Sequence, residues 1–301
     1  MFDDILRDEV EEFVKKEGAD LIGFANVERW DEFDEVPKEF RPKFLFDKTK
    51  TIIVMGVSMP LPIVDTTPSI LHKETYDTAN RFLDNLAYNL TRFLNRKGYA
   101  SMFFTRDGFG SVKVLIEREP IASFSHTFAA KYAGLGTLSK SHNILTPEFG
   151  PRVRFVSVFT EAELRPSPMI EKTLCINCGM CAKCCPKKVL IPEDDENTYN
   201  IRHAVLKENL KRDAGYYKFD VIGCCKWAEE LTRRRAYPCG VCTKVCPIGK
   251  DRELYGETNM ANKYLREKEL LESHIDHPDY KVWNHFRKYG SFSIKDGKIF
   301  E

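Results

Sequence analysis

The chain has 301 residues, 43% hydrophobic and 30% charged; that apolar share supports a packed core and excludes wholesale disorder. Lys and Arg number 46 against 45 Asp and Glu, a formal charge of +1, so no global field is present to hold a nucleic acid backbone. The longest apolar stretch, Thr51 to Val64, is broken by Gly56, Pro60 and Pro62 and is too short to span a bilayer. With an acidic amphipathic start, MFDDILRDEVEE, and no basic leader region, a soluble cytoplasmic protein without a membrane partner is expected.

Ile5, Leu6, Val10, Phe13 and Val14 recur at helical spacing ahead of Gly18, which predicts an N-terminal helix with a glycine stop. Leu21 to Val27 reads as a short strand. Thr51 to Met59 is rich in β-branched residues and nearly continuous in apolar character, the pattern of a strand buried on both faces. Pro60 to Lys73 carries three prolines and reads as a loop over a site, with Tyr76 at its edge. Ala79, Phe82, Leu83, Leu86, Ala87, Leu90, Phe93 and Leu94 form one apolar stripe closed by Gly98, a helix. Strands are predicted over Ala100–Thr105, Val112–Ile116 and Arg152–Thr160, and a helix from about Ile121 to Tyr132. This interleaving makes residues 1–170 a mixed α/β domain of an α+β chain.

All ten cysteines lie between Cys175 and Cys246. A disulfide framework is spread over a small secreted chain, whereas so many thiols in one segment of a cytosolic chain point to metal. Cys175-Ile-Asn-Cys178-Gly-Met-Cys181-Ala-Lys-Cys184-Cys185-Pro186 contains C-x2-C-x2-C-x3-C-P, the bacterial ferredoxin run for a [4Fe–4S] cluster. Three cysteines at steps of three wrap one cubane, and the fourth, followed by proline, ligates the other. Cys239-Gly-Val-Cys242-Thr-Lys-Val-Cys246-Pro247 is a second run, one cysteine short, with Cys224-Cys225 upstream to complete it. Crossing the fourth ligands assigns Cys175, Cys178, Cys181 and Cys246 to one cluster. Cys239, Cys242, Cys185 and either Cys224 or Cys225 take the other. Zinc ribbons use paired C-x2-C knuckles without the third cysteine or the proline, so two [4Fe–4S] clusters are expected in a ferredoxin-like module over residues 171–252. Lysines 183, 187, 188 and 244 and the Arg233–Arg235 run offset the charge of anionic clusters, dock an acidic donor, or form a solvated face. Residues 253–301 read as a charged tail, with Trp283, Phe286 and Tyr289 docking it on the body.

A module of relay clusters joined to a large domain feeds a site in that domain, yet no G-x-G-x-x-G follows a strand and no P-loop is present. Ser125-His126-Thr-Phe-Ala-Ala-Lys-Tyr-Ala133-Gly134-Leu135-Gly136-Thr-Leu-Ser139-Lys140, followed by Leu145-Thr146-Pro147-Glu148-Phe149-Gly150-Pro151-Arg152 and the double-cluster module, resembles the epoxyqueuosine reductases and corrinoid reductive dehalogenases. The resemblance runs from about residue 50 to 250. It implies a nitroreductase-like domain holding base-off cobalamin, to which the two clusters deliver electrons from an external ferredoxin- or flavodoxin-type donor, for reductive chemistry on a small-molecule substrate. Cofactor contacts are then expected at Gly134, Leu135, Gly136, Lys140 and Gly150, whose alternative is a helix C-cap with a tight turn. The family turn reads A-G-L-G-W-x-G-K; here Thr137 and Ser139 replace the Trp and the later Gly. The resemblance also favours Cys225 as eighth ligand, because Lys226-Trp227 leads from it into a helix.

In epoxyqueuosine reductases an Asp three residues before a Pro donates the proton; Glu117 stands so before Pro120, although in Glu-Arg-Glu it is equally a surface partner of Arg118. His126 is the second candidate acid, its alternative being a hydrogen-bonded structural histidine. No Asp-x-His-x-x-Gly motif is present to supply a lower cobalt ligand. The tRNA-binding extension of many queuosine enzymes has no counterpart after Tyr255 and the chain is near-neutral, so tRNA is a disfavoured partner; the twin-arginine leader that respiratory dehalogenases normally carry is not seen either. An electron carrier without an organic cofactor is the remaining alternative.

Overall fold

The computed structural model describes residues 2–106, 122–192, 217–233 and 235–254. The predicted strand at Val112–Ile116, the helical insert near Ile201 and the tail beyond Leu254 lie outside these residues.

The first domain is built on one antiparallel sheet. β1 (Leu21–Asn26), β2 (Thr51–Ser58), β3 (Ser101–Phe104) and the strand Val153–Thr160 stand in the order β1-β2-(153–160)-β3. In β2, Ile52 and Val54 point into one core with Trp30, Phe128 and Tyr132. Ile53 and Met55 point into another with Leu6, Leu83, Leu86 and Leu90. That period-2 division explains the unbroken apolar run: the sheet is covered on both faces, although it is antiparallel. Helices α1 (Asp4–Lys16) and α2 (Ile70–Arg96) pack on one face, and the helix His126–Tyr132 on the other.

The predicted Pro60–Lys73 loop is largely helical. Pro60 caps and Pro62 opens the turn Leu61–Val64, where a missing N–H costs nothing. Ser69 then starts α2 by accepting the His72 backbone N–H at 3.1 Å. The helix before the glycine turn begins at His126, capped by the Ser125 side chain.

The cysteine-rich part docks on this domain through buried charge. Arg152, with a side chain 0% exposed, donates through Nε and Nη2 to both Asp251 carboxylate oxygens at 2.6 Å. It also reaches the carbonyls of Cys246 and Ile248 at 3.1 and 2.6 Å. Arg252, equally buried, pairs with Asp65 at 3.1 Å and donates to the Lys244 carbonyl. Gly150 (φ +53) admits the Ile248 carbonyl, which would lie 1.9 Å from any Cβ placed there.

Candidate metal centre and adjoining pocket

Two short helices carry the cysteine runs, Met180–Lys183 and Val241–Lys244. Each follows a left-handed glycine, Gly179 (φ 73) and Gly240 (φ 64), a conformation L side chains adopt only at a cost. Met180, Cys184, Cys239, Val241 and Val245 pack between them.

The ten thiols are free, and nine of them line two neighbouring cavities. Cys175, Cys178, Cys181 and Cys246 line one with Cys242, and Cys185, Cys224, Cys225 and Cys239 line the other, again with Cys242. Burial is the first cause raising Cys181, Cys224, Cys239 and Cys246, and the field of Cys242 adds to it at Cys181, Cys224 and Cys239. Cys225 is raised by burial and by Asp220 rather than by Cys185, Cys239 or Cys242. Successive residues of Val221–Arg233 point about 100° apart, and both Cys224 and Cys225 line the pocket that Cys185, Cys239 and Cys242 line. Cys184 is 5% exposed in the apolar contact between the loops.

Burial pushes Cys181 and Cys239 up to about 12 and Cys246 up to about 11. Left to themselves these thiols stay protonated at neutral pH, and only a cationic partner such as metal would hold them as thiolates. Among the described residues, no three His, Cys, Asp or Glu side chains group tightly enough to hold a single metal ion. A cubane has iron at four corners and holds its thiolates farther apart than one ion does. The Trp227 indole N–H is buried without a partner in the wall of the pocket that Cys239 also lines. A sulfur-rich, electron-rich group fits both the donor set and this orphaned N–H.

The first thiol set lines a small cavity with Lys140 and Tyr217, near the surface: Cys178 is exposed. The second lines a pocket of about 450 Å³ between the two parts of the chain, within the range of ligand clefts. Cys242 lines both. The opposite wall is Met59, Val64, His72, Tyr76 and Arg154. Arg154 lies 4.4 Å over the Tyr76 ring and donates to Asn80 at 3.0 Å. Tyr237 meets Tyr76 edge-on at 6.1 Å. His72 is held down to about 4 by burial, and the Pro238 carbonyl accepts its hydrogen bond; it is a neutral wall at pH 7. A second groove of about 270 Å³, lined by Arg106, Phe124 and His126, shares Asn143, Val153 and Arg154 with this pocket.

Several expected contacts are placed elsewhere. Gly134 (φ +74) lies against the Pro168 carbonyl, 2.0 Å from where a Cβ would sit, and Gly136 against the Leu145 carbonyl at 2.1 Å. With Gly150 on Ile248, each of the three glycines makes room for a carbonyl of the chain itself, and none lines the 450 Å³ pocket. Leu135 packs on the core beside Gly23. Lys140 stands 5.4 Å over the Tyr217 ring at the outer cysteine cavity. His126 joins Ser157 through Nδ1 and the Thr105 carbonyl through Nε2, both at 2.9 Å; since a carbonyl only accepts, Nε2 carries the proton. Its ring ties β3 to the strand Val153–Thr160, so proton donation to a substrate requires breaking one of these bonds. Glu117 lies outside the described residues. Sequence reasoning missed His72, Asn143, Arg154 and Tyr237, which carry no motif; they are pocket residues only because the cysteine module docks where it does.

No family model matches the chain. The tetrachloroethene reductive dehalogenase of Desulfitobacterium hafniense is 25% identical over 237 residues, covering 77% of this chain and 37% of the dehalogenase. The epoxyqueuosine reductase of Bacillus subtilis is 22% identical, covering 83% of this chain and 65% of the reductase. Reductive dehalogenases and epoxyqueuosine reductases are its relatives. A solved reductive dehalogenase bearing on B12-dependent dehalogenation shares the fold, with a TM-score of 0.57, 20% identity and coverage of 87% of this chain and 36% of that one. The chain therefore spans about a third to a half of the length of the dehalogenases it matches. Among the described residues, no helix is long and apolar enough to cross a membrane.

Proposed function

We propose that the chain is an iron–sulfur reductase with two [4Fe–4S] clusters. Cys175, Cys178, Cys181 and Cys246 hold the outer cluster in a ferredoxin-like module, and Cys185, Cys224, Cys239 and Cys242 hold the inner one. The observation that carries this reading is the order of the cavities: the outer thiols reach the surface, the inner thiols form a wall of the 450 Å³ pocket, and Cys242 lies on both. Electrons from a ferredoxin- or flavodoxin-type donor enter at the exposed Cys178 side and leave into the pocket. Two one-electron carriers beside one pocket suit a two-electron reduction.

The resemblance supplies the pocket's cofactor, a base-off corrinoid on a nitroreductase-like domain, which when bound provides a strongly reducing metal. The apolar and aromatic wall of Met59, Val64, Tyr76 and Tyr237 suits a flat macrocycle, while the Arg154 guanidinium, fixed by Asn80 and Tyr76, offers an anion contact to a small substrate. Glu117 is the proposed proton donor, on the resemblance alone. Anaerobic preparation is expected to yield about eight iron and eight sulfide per chain, with a corrinoid identified by absorption and mass. Stoichiometric zinc without iron sinks the reading; iron without any corrinoid moves it to an electron carrier. Glu117→Gln is expected to abolish turnover while iron content stays at the parent value.

A tRNA epoxyqueuosine reductase is the second reading, favoured by the larger share of the Bacillus subtilis enzyme that the chain covers, 65% against 37% of the dehalogenase. Restoration of queuosine in a strain lacking its epoxyqueuosine reductase would establish it over the small-molecule reading.

A further inference from the structure

The two thiol sets differ in what surrounds their sulfurs. At the inner set, Asn143 Nδ2 donates to Cys242 Sγ at 3.5 Å. Its orientation is fixed, because the same Nδ2 donates to Ser141 Oγ at 2.9 Å while the Asn143 carbonyl accepts from the Ser139 backbone N–H and hydroxyl, both at 2.9 Å. The Trp227 indole N–H is buried with no hydrogen-bond partner in the pocket wall it shares with Cys239, and the Lys187 ammonium lies 4.5 Å over its ring. Thr243 adds a hydroxyl toward Cys242. At the outer set, Cys181 and Cys246 meet backbone N–H groups, those of Ala182 and Ile248, and Cys178 is open to solvent.

We infer that Asn143 and Trp227 are redox-tuning residues of the inner site, their side-chain N–H groups raising the reduction potential of a cluster held by Cys185, Cys224, Cys239 and Cys242. The inference rests on the cluster reading. A sulfur ligand gains negative charge on reduction, and an N–H dipole directed at it stabilises the reduced form. Burial acts the other way: removing water penalises the added charge, so an inner cluster without donors is harder to reduce than the wet outer one. The donor set offsets that penalty, and the electron passes inward toward the pocket without a steep uphill step.

The test is an EPR-monitored redox titration of the reconstituted full chain, wild type against Asn143→Leu, Trp227→Phe and the double variant, with iron and sulfide counted in each. One of the two cluster potentials is expected to become more negative in each single variant and further so in the double variant, the other cluster staying in place. Full iron with both potentials unmoved, or with both moved equally, overturns the inference while leaving the clusters intact. No iron in the wild-type chain overturns the cluster reading and this inference with it. If Asn143→Leu loses iron, Trp227→Phe decides alone, since Phe keeps an aromatic side chain in place and removes the N–H.

Discussion

Cys224 and Cys225 are neighbours on the helix Val221–Arg233 and both line the pocket of Cys185, Cys239 and Cys242, but only at Cys224 do the fields of those three add to burial. Cys224→Ser is therefore expected to reduce iron from about eight to about four per chain, with Cys225→Ser near the parent value. Iron lost from Cys225→Ser alone would exchange the two. The sequence pattern left this pair open, because spacing states how far along the chain a ligand lies and not which way a helix turns it. His126 shows the same limit: its position before the glycine turn marks it as important, but only the fold shows both ring nitrogens bonded to Ser157 and Thr105.

At the scale of elements, the loop Thr146–Gly150 is where the sheet domain receives the cysteine module, through Lys250 N–H to the Pro147 carbonyl at 3.1 Å and Asp251 N–H to the Glu148 carbonyl at 3.0 Å. Gly98 and Gly150 both have positive φ, but a Cβ meets nothing within 4 Å at Gly98 and the Ile248 carbonyl at 1.9 Å at Gly150. Gly98→Ala is expected to cost about 1–2 kcal/mol, the left-handed penalty alone. Gly150→Ala should cost clearly more and shed iron, because the backbone of the module has to move. Denaturant midpoints with iron counts compare the two; equal losses would show that the loop yields easily. The strands and the long helix were legible from periodicity, whereas the helical turn inside Pro60–Lys73 was hidden by its prolines, which start a helix as readily as they break one.

Across the whole molecule, Arg152 is the residue on which the two parts meet, fully buried with Asp251 and the Cys246 and Ile248 carbonyls. Removing one partner of a buried pair leaves the other charge uncompensated, at about 3–5 kcal/mol. Arg152→Ala is thus expected to lower unfolding stability by about 3–5 kcal/mol and to impair iron retention by opening the cysteine cage. A loss below about 1 kcal/mol, the scale of an exposed pair, would mean that the pair is not the joint.

What the sequence determined by itself was local and periodic: the strands and helices, from side chains alternating at two or 3.6 residues, and the two cysteine runs, whose spacing is set by the size of what they wrap. Tertiary structure alone decided the pocket. Met59, Tyr76, Arg154, Asn143 and Trp227 come from distant segments and share no spacing; they line one cavity because the buried arginines fix the module against the sheet domain. It also decided the glycines, whose missing Cβ atoms make room for the chain's own carbonyls at Pro168, Leu145 and Ile248. A turn motif shows that backbone must approach something closely, and which backbone or ligand that is depends on contacts far away in the chain.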